Sequence, residues 1–102
     1  MEKEVDRFID HLKIVKRASE HTVRSYSSDV LQFIAFAREA DVEQWDYPVI
    51  RRFLAHLQRQ GCARSSVARK IAALREFFRF LVRKGIIQED PTVGVVAPRR
   101  ER

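Results

Sequence analysis

Arg64, Arg69, Lys70, Arg75, Arg79, Arg83 and Lys84 crowd into one short stretch of chain that holds a single acid, Glu76. Their excess over that acid equals the net charge of the whole protein, +6 at pH 7, so the basicity is local. Arginine and lysine set along a helix reach phosphates, and small residues between them let the backbone approach base edges in a major groove. On a helical wheel Ser65, Arg69, Ala72, Ala73 and Glu76 fall on one outward arc opposite Ile71 and Leu74, with Ser66 and Lys70 on its flank. Two readings stand side by side. The arc is an interface for a polyanion, or it is a solvated face whose basic stems cover apolar neighbours. In either case Arg69→Ala is expected to leave the melt nearly unchanged, whereas Leu74→Ala is expected to lower it.

The remaining reactive side chains suggest little further chemistry. His11, His21 and His56 lie far apart, and none has a cysteine or second histidine at ligand spacing, so neither a metal nor a cofactor is expected. Tyr26 and Tyr47 lack a surrounding cluster of Arg, His and Lys that would stabilise a phosphoryl-transfer transition state. Tyr26 falls on an apolar stripe, with its hydroxyl free to reach a backbone group or a phosphate. The pair Asp41 and Glu43 falls in a connection and suggests no acid–base couple. Gly61, Gly85 and Gly94 are too scattered for a phosphate-cradling loop, and the first two read as helix ends. Cys62, the only cysteine, has no partner within the chain. The opening Met1-Glu2-Lys3-Glu4 does not resemble a secretory signal, and no apolar run approaches the ~20 residues that span a bilayer, so a cytoplasmic protein is expected.

The elements that must carry these residues are helices. With 102 residues, 45% of them apolar, the chain can fill one core. Four segments repeat apolar residues at helical spacing, and glycine and proline lie near their ends or after the last. The first covers about residues 3–16 and buries Val5, Phe8, Ile9, Leu12 and Val15. The second follows Ser19 as N-cap, with Glu20 at the positive end of the helix dipole, and buries Val23, Tyr26, Val30, Phe33, Ile34 and Ala37. The third follows Asp46, tolerates Pro48 in its first turn, places Trp45 to staple onto Ile50, and buries Ile50, Phe53, Leu54 and Leu57. The fourth begins at Ser65 and buries Val67, Ile71, Leu74, Phe78 and Leu81. The expected fold is an all-α bundle of four main helices with room for a short fifth near the C-terminus. Residues 1–88 are expected to fold as one domain with Ile86 and Ile87 tucked beneath it. Residues 89–102, with Pro91, Gly94, Pro98 and Arg99-Arg100, read as a departing linker.

The order of these signals resembles a known family. Ser19-Glu20-His21-Thr22-Val23-Arg24-Ser25-Tyr26-Ser27-Ser28-Asp29-Val30 is similar to the S-x-x-T-x-x-x-Y-x-x-D-L opening of the N-terminal domain of Xer-type and phage-integrase tyrosine recombinases. Arg64 through Leu81, followed by Gly85-Ile86-Ile87-Gln88-Glu89-Asp90-Pro91, looks like that family's S/T-x-x-R-x-L-S-A-L-R-x-F run, short turn and closing N/D-P dipeptide. The resemblance covers about residues 3–100. It implies a SAM-like core-binding domain that forms one jaw of a clamp around double-stranded DNA at a recombination half-site. Thr22, Ser25 and Tyr26 on the second helix, and Arg64, Ser66, Arg69, Lys70 and Arg75 on the fourth, are then the implied DNA contacts. The first helix is implied to face neighbouring protomers in a synaptic tetramer, with the isolated domain a monomer. Catalytic residues belong in this family to a separate, longer domain, so this chain is expected to bind and not to react. It departs from the pattern at Ser27 and Ser28, where basic residues are common, and at Ala72, where serine is usual. A helical protein-interaction module and a free-standing helix-turn-helix regulator, the latter suggested by the connection from Gly61 to Ser65, are the alternatives.

Overall fold

Ser19 and Asp46 each close a connection and open a helix. The Ser19 hydroxyl accepts the Thr22 amide at 3.1 Å, and the Asp46 carboxylate accepts the Val49 amide at 3.2 Å, satisfying first-turn donors that have no intrahelical acceptor. The computed structural model describes residues 2–40 and 44–98. It contains α1 (Glu2–Ile14), α2 (Glu20–Glu39), α3 (Tyr47–Arg59) and α4 (Arg64–Arg83), with no strand among the described residues. Asp41 lies outside that description, as do Glu43 and the Arg99-Arg100 pair. Where a short fifth helix had room, residues 91–94 form a turn.

Two boundaries differ from the sequence expectation. Helix α1 stops at Ile14 because Arg17 takes a left-handed conformation (φ 50°), and the amides of Val15, Lys16 and Ala18 turn back to the carbonyls of His11 and Leu12. Val15 therefore leaves the apolar stripe and is 67% exposed. Helix α4 begins one residue early, at Arg64, and its N-cap is Ala63, which offers no side-chain acceptor. Its far end closes as expected: Gly85 adopts φ 72° and the Ile86 amide reaches back to the Leu81 carbonyl at 2.9 Å, so the last carbonyls are satisfied. Ile87 packs under the bundle, while Ile86 stays exposed.

The core is built from two groups of rings. Phe33 of α2 meets Trp45, Phe53 and Phe78 edge-on at 5.3, 5.3 and 5.7 Å. Phe8 of α1 meets Phe77 and Phe80 at 5.2 and 5.8 Å. Phe77 and Phe78 join the two groups. Trp45 thus docks among rings of α2 and α4.

Helix α4 packs against both α2 and α1 and is buried on more than one stripe: Ala73, Phe77 and Phe80 are enclosed along with Ile71, Leu74, Phe78 and Leu81. This corrects the placement of Ala73 on the outward arc. Arg69 and Lys70, its neighbours on that side of α4, both reach α2, the helix with which α4 packs most extensively, and a methyl there lets the two backbones approach.

The described part of the segment read as a linker lies against the bundle. Pro91, Thr92 and Val95 are buried, and Val95 belongs to the main core.

Candidate functional site

Thr22, Ser25, Tyr26 and Asp29 stand at i, i+3, i+4 and i+7 along α2 and so share a side of that helix. Ser66, Arg69 and Lys70 do the same on α4. The two rows meet at Asp29, whose side chain is 1% exposed. Its carboxylate accepts Arg69 Nε at 2.9 Å and Arg69 Nη2 at 3.0 Å in a two-pronged contact, and Lys70 Nζ at 2.8 Å. A buried carboxylate is tolerable only when paired and hydrogen-bonded, and here both requirements are met.

The arrangement has a direct consequence for Arg69. Two of its five N–H groups hold Asp29, the guanidinium plane is fixed by the fork, and the side chain remains 45% exposed. The hydrogen bonds to Asp29 raise the guanidinium pKa still further above its ordinary value, with Cys62 and Tyr26 close enough to add to the effect. Lys70 is more enclosed, at 13%. Two cations and one carboxylate leave the cluster with a single positive charge, delivered through a pre-oriented group.

The other implied contacts are placed less uniformly. Thr22 Oγ1 accepts the Ser19 hydroxyl at 3.0 Å and is half-buried, as are Ser25 and Ser66. Tyr26 packs partly into the core. Arg64 lines a groove of about 350 Å³ with Arg51, Leu54, Val67 and Val95, on another side of α4. Arg75, six residues beyond Arg69 and so about 120° around the helix, donates through Nη2 to the Val95 carbonyl. The structure therefore gathers Tyr26, Asp29, Arg69 and Lys70, and separates Arg64 and Arg75 from them. Asp29 was missed as a functional-site residue. Its signal in the sequence is an acid between Tyr26 and Phe33, two helical turns apart on an otherwise apolar stripe, where a carboxylate requires a cationic partner.

The phage integrase N-terminal SAM-like domain family matches residues 5–85, which take in nearly all of the four helices. The chain belongs to that family. Tyrosine recombinase XerC of Azotobacter vinelandii is 35% identical over 105 residues, covering all of this chain and 35% of the relative. The XerC of Pseudomonas aeruginosa is 34% identical with the same coverage, and that of Pelotomaculum thermopropionicum is 36% identical over 96% of this chain. The chain spans about a third of the length of these curated relatives. No solved structure matches it. Among the described residues of this SAM-like domain, no helix is long and apolar enough to cross a membrane.

Of the histidines, His21 is exposed, while His56 packs at a tilt against Phe36 and His11 against Phe80, each ring pair at 5.1 Å. A guanidinium only donates, so the 3.2 Å approach of Arg83 Nη2 to His11 Nε2 makes that nitrogen the acceptor of a neutral imidazole. Burial lowers the His11 pKa from its ordinary value, and Arg83, Lys16 and Lys84 lower it further against the opposing pull of Glu76. A histidine whose folded-state pKa is depressed leaves stability untouched above the unfolded value and removes it as pH falls through that value toward the folded one. Acidification from about pH 7 to about pH 5 should therefore lower the melting temperature less in His11→Gln than in the natural protein. Equal declines would remove His11 from the acid response.

Proposed function

We propose that this domain is the DNA-binding, core-binding module of a tyrosine site-specific recombinase, and that it holds the recombination half-site while chemistry belongs to a catalytic domain outside this chain. It works without a cofactor, in the cytoplasm, on double-stranded DNA. The observation that carries the reading is the Asp29–Arg69–Lys70 cluster: a guanidinium locked in orientation by a buried carboxylate yet half open to solvent. Such a group pays little ordering entropy when it meets a phosphate oxygen.

The contact surface is then α2 through Thr22, Ser25 and Tyr26, and the first half of α4 through Ser66, Arg69 and Lys70, with Arg64 at its edge. The exposed Ile14 and Val15, at 73% and 67%, lie at the end of α1 and suit a contact with a neighbouring protomer in a synaptic tetramer. The isolated domain is a monomer in this reading.

The test is an NMR titration of the chain with a duplex at two salt concentrations. Amide shifts should centre on the first half of α2 and the first half of α4. Asp29 cancels one of the two cations it holds, and Arg64 at the edge of the surface adds another charge, so about two phosphates are neutralised and log affinity should fall with log salt at a slope near −2. Shifts centred on α1 and α3, or an absence of salt-sensitive shifts, would overturn the DNA assignment in favour of a protein-interaction module.

A further inference from the structure

Beyond Gly85 the chain doubles back along the bundle without forming a helix. Asp90 Oδ1 accepts both the Thr92 amide at 2.8 Å and the Thr92 hydroxyl at 2.6 Å, which fixes the turn that follows. The Val95 amide then returns to the Thr92 carbonyl at 3.1 Å. Gly94 makes this possible with φ 89°, and a Cβ there would stand 3.8 Å from the Tyr47 ring, so the chain passes close over the start of α3. Val95 is buried between Val93 and Val96, which are 73% and 85% exposed. One peg between two open neighbours anchors the segment in the core, and the hydrogen bond from Arg75 to the Val95 carbonyl ties that peg to α4.

We propose that residues 90–97 form a strap clasped by Arg75, and that Arg75 is a positioning residue that fixes where the chain leaves the bundle rather than a DNA contact. Three observations support this division. Arg75 is turned about 120° from Arg69, its guanidinium holds a backbone carbonyl, and that carbonyl belongs to a core residue. The strap stands on its own contacts, whereas its use in aiming the following chain rests on the recombinase reading above. Among the described residues the chain is held against the bundle as far as residue 97, and not only to residue 88. At up to ~3.5 Å per extended residue, a tether shortened by these residues loses roughly 30 Å of reach. A clamp gains from this, because two linked binding surfaces cooperate only when the linker holds the second near its target.

The strap can be tested on the 102-residue chain by amide hydrogen exchange of Arg75→Ala and Arg75→Lys. In Arg75→Ala the Val95 amide should exchange at least about tenfold faster, and the Thr92 and Val95 signals should move toward unstructured values. Arg75→Lys retains a donor and should recover most of the protection. Asp90→Ala removes the acceptor at the other end of the strap and should speed the same amide, which keeps the question open to measurement even if Arg75→Ala does not fold. In a parallel duplex titration both Arg75 variants should keep the salt slope of the natural protein. Unchanged exchange at Val95 in Arg75→Ala, or in Asp90→Ala, would overturn the strap. A slope flattened by about one unit in Arg75→Ala would return Arg75 to the DNA contacts. If the natural protein fails to bind duplex at all, the DNA reading falls while the exchange data still decide the strap.

Discussion

Removing both cations from Asp29, in the double variant Arg69→Ala/Lys70→Ala, is expected to cost about 3 to 5 kcal/mol of folding free energy. The carboxylate left behind is 1% exposed and, among the described residues, has no other side-chain partner to take up its charge. Arg69 is 45% exposed, so solvent screens part of its contribution and draws the value toward the lower end. Asp29→Asn works in the opposite sense. It leaves two cations, one half in water and able to rehydrate, and an amide that still accepts, so the loss should be about 1 to 2 kcal/mol. Urea unfolding of the three proteins measures the asymmetry, and equal losses would mean that the carboxylate is not the enclosed member of the cluster. The same Asp29→Asn variant should steepen the salt dependence of duplex binding by about 0.9, because a cancelling charge has gone. A substitution that weakens the fold while strengthening the electrostatic attraction is hard to explain unless Asp29 restrains a DNA-facing pair.

Phe33→Ala should be at least as damaging, at about 3 to 5 kcal/mol. The ring is fully enclosed and meets three others edge-on within 5.7 Å, so truncation loses its burial, opens a cavity and removes favourable ring pairs worth about 0.5 to 1.5 kcal/mol each. Leu31, two positions earlier on the same helix, is 48% exposed, and Leu31→Ala should stay within about 0.5 kcal/mol of the natural protein. Denaturant midpoints compare the two directly. A Phe33→Ala protein as stable as Leu31→Ala would show that the ring cluster does not support the bundle.

The parts of the fold that were legible in the sequence are those governed by local chemistry. Ser19, Asp46 and Gly85 announce helix ends through their own hydrogen-bonding and conformational properties, and Phe8, Phe33, Phe53 and Leu74 announce buried stripes through period alone. Ala73 and Phe80 were not legible because their burial depends on a second helix covering another side of α4, which periodicity within α4 does not encode. Arg69 was read as an outward cation for the same reason. Its partner is forty positions away in sequence, and only the packing of α2 on α4 brings Asp29 to it. The family motif contained that aspartate, but a motif gives a residue type without saying whom it meets. Val95 was assigned to a linker because Pro91 and Gly94 flank it, although those two residues are what allow the chain to turn back and bury it.

The distribution of the rings also bears on how this domain is made by a ribosome. Phe8 emerges first, yet the rings it packs against, Phe77 and Phe80, lie on the last helix. Phe33 likewise waits for Phe78, and the peg at Val95 comes later still. A nascent chain ending before α4 holds α1 with its phenylalanine unmatched, so closure of the bundle is deferred until almost the whole domain has been synthesised.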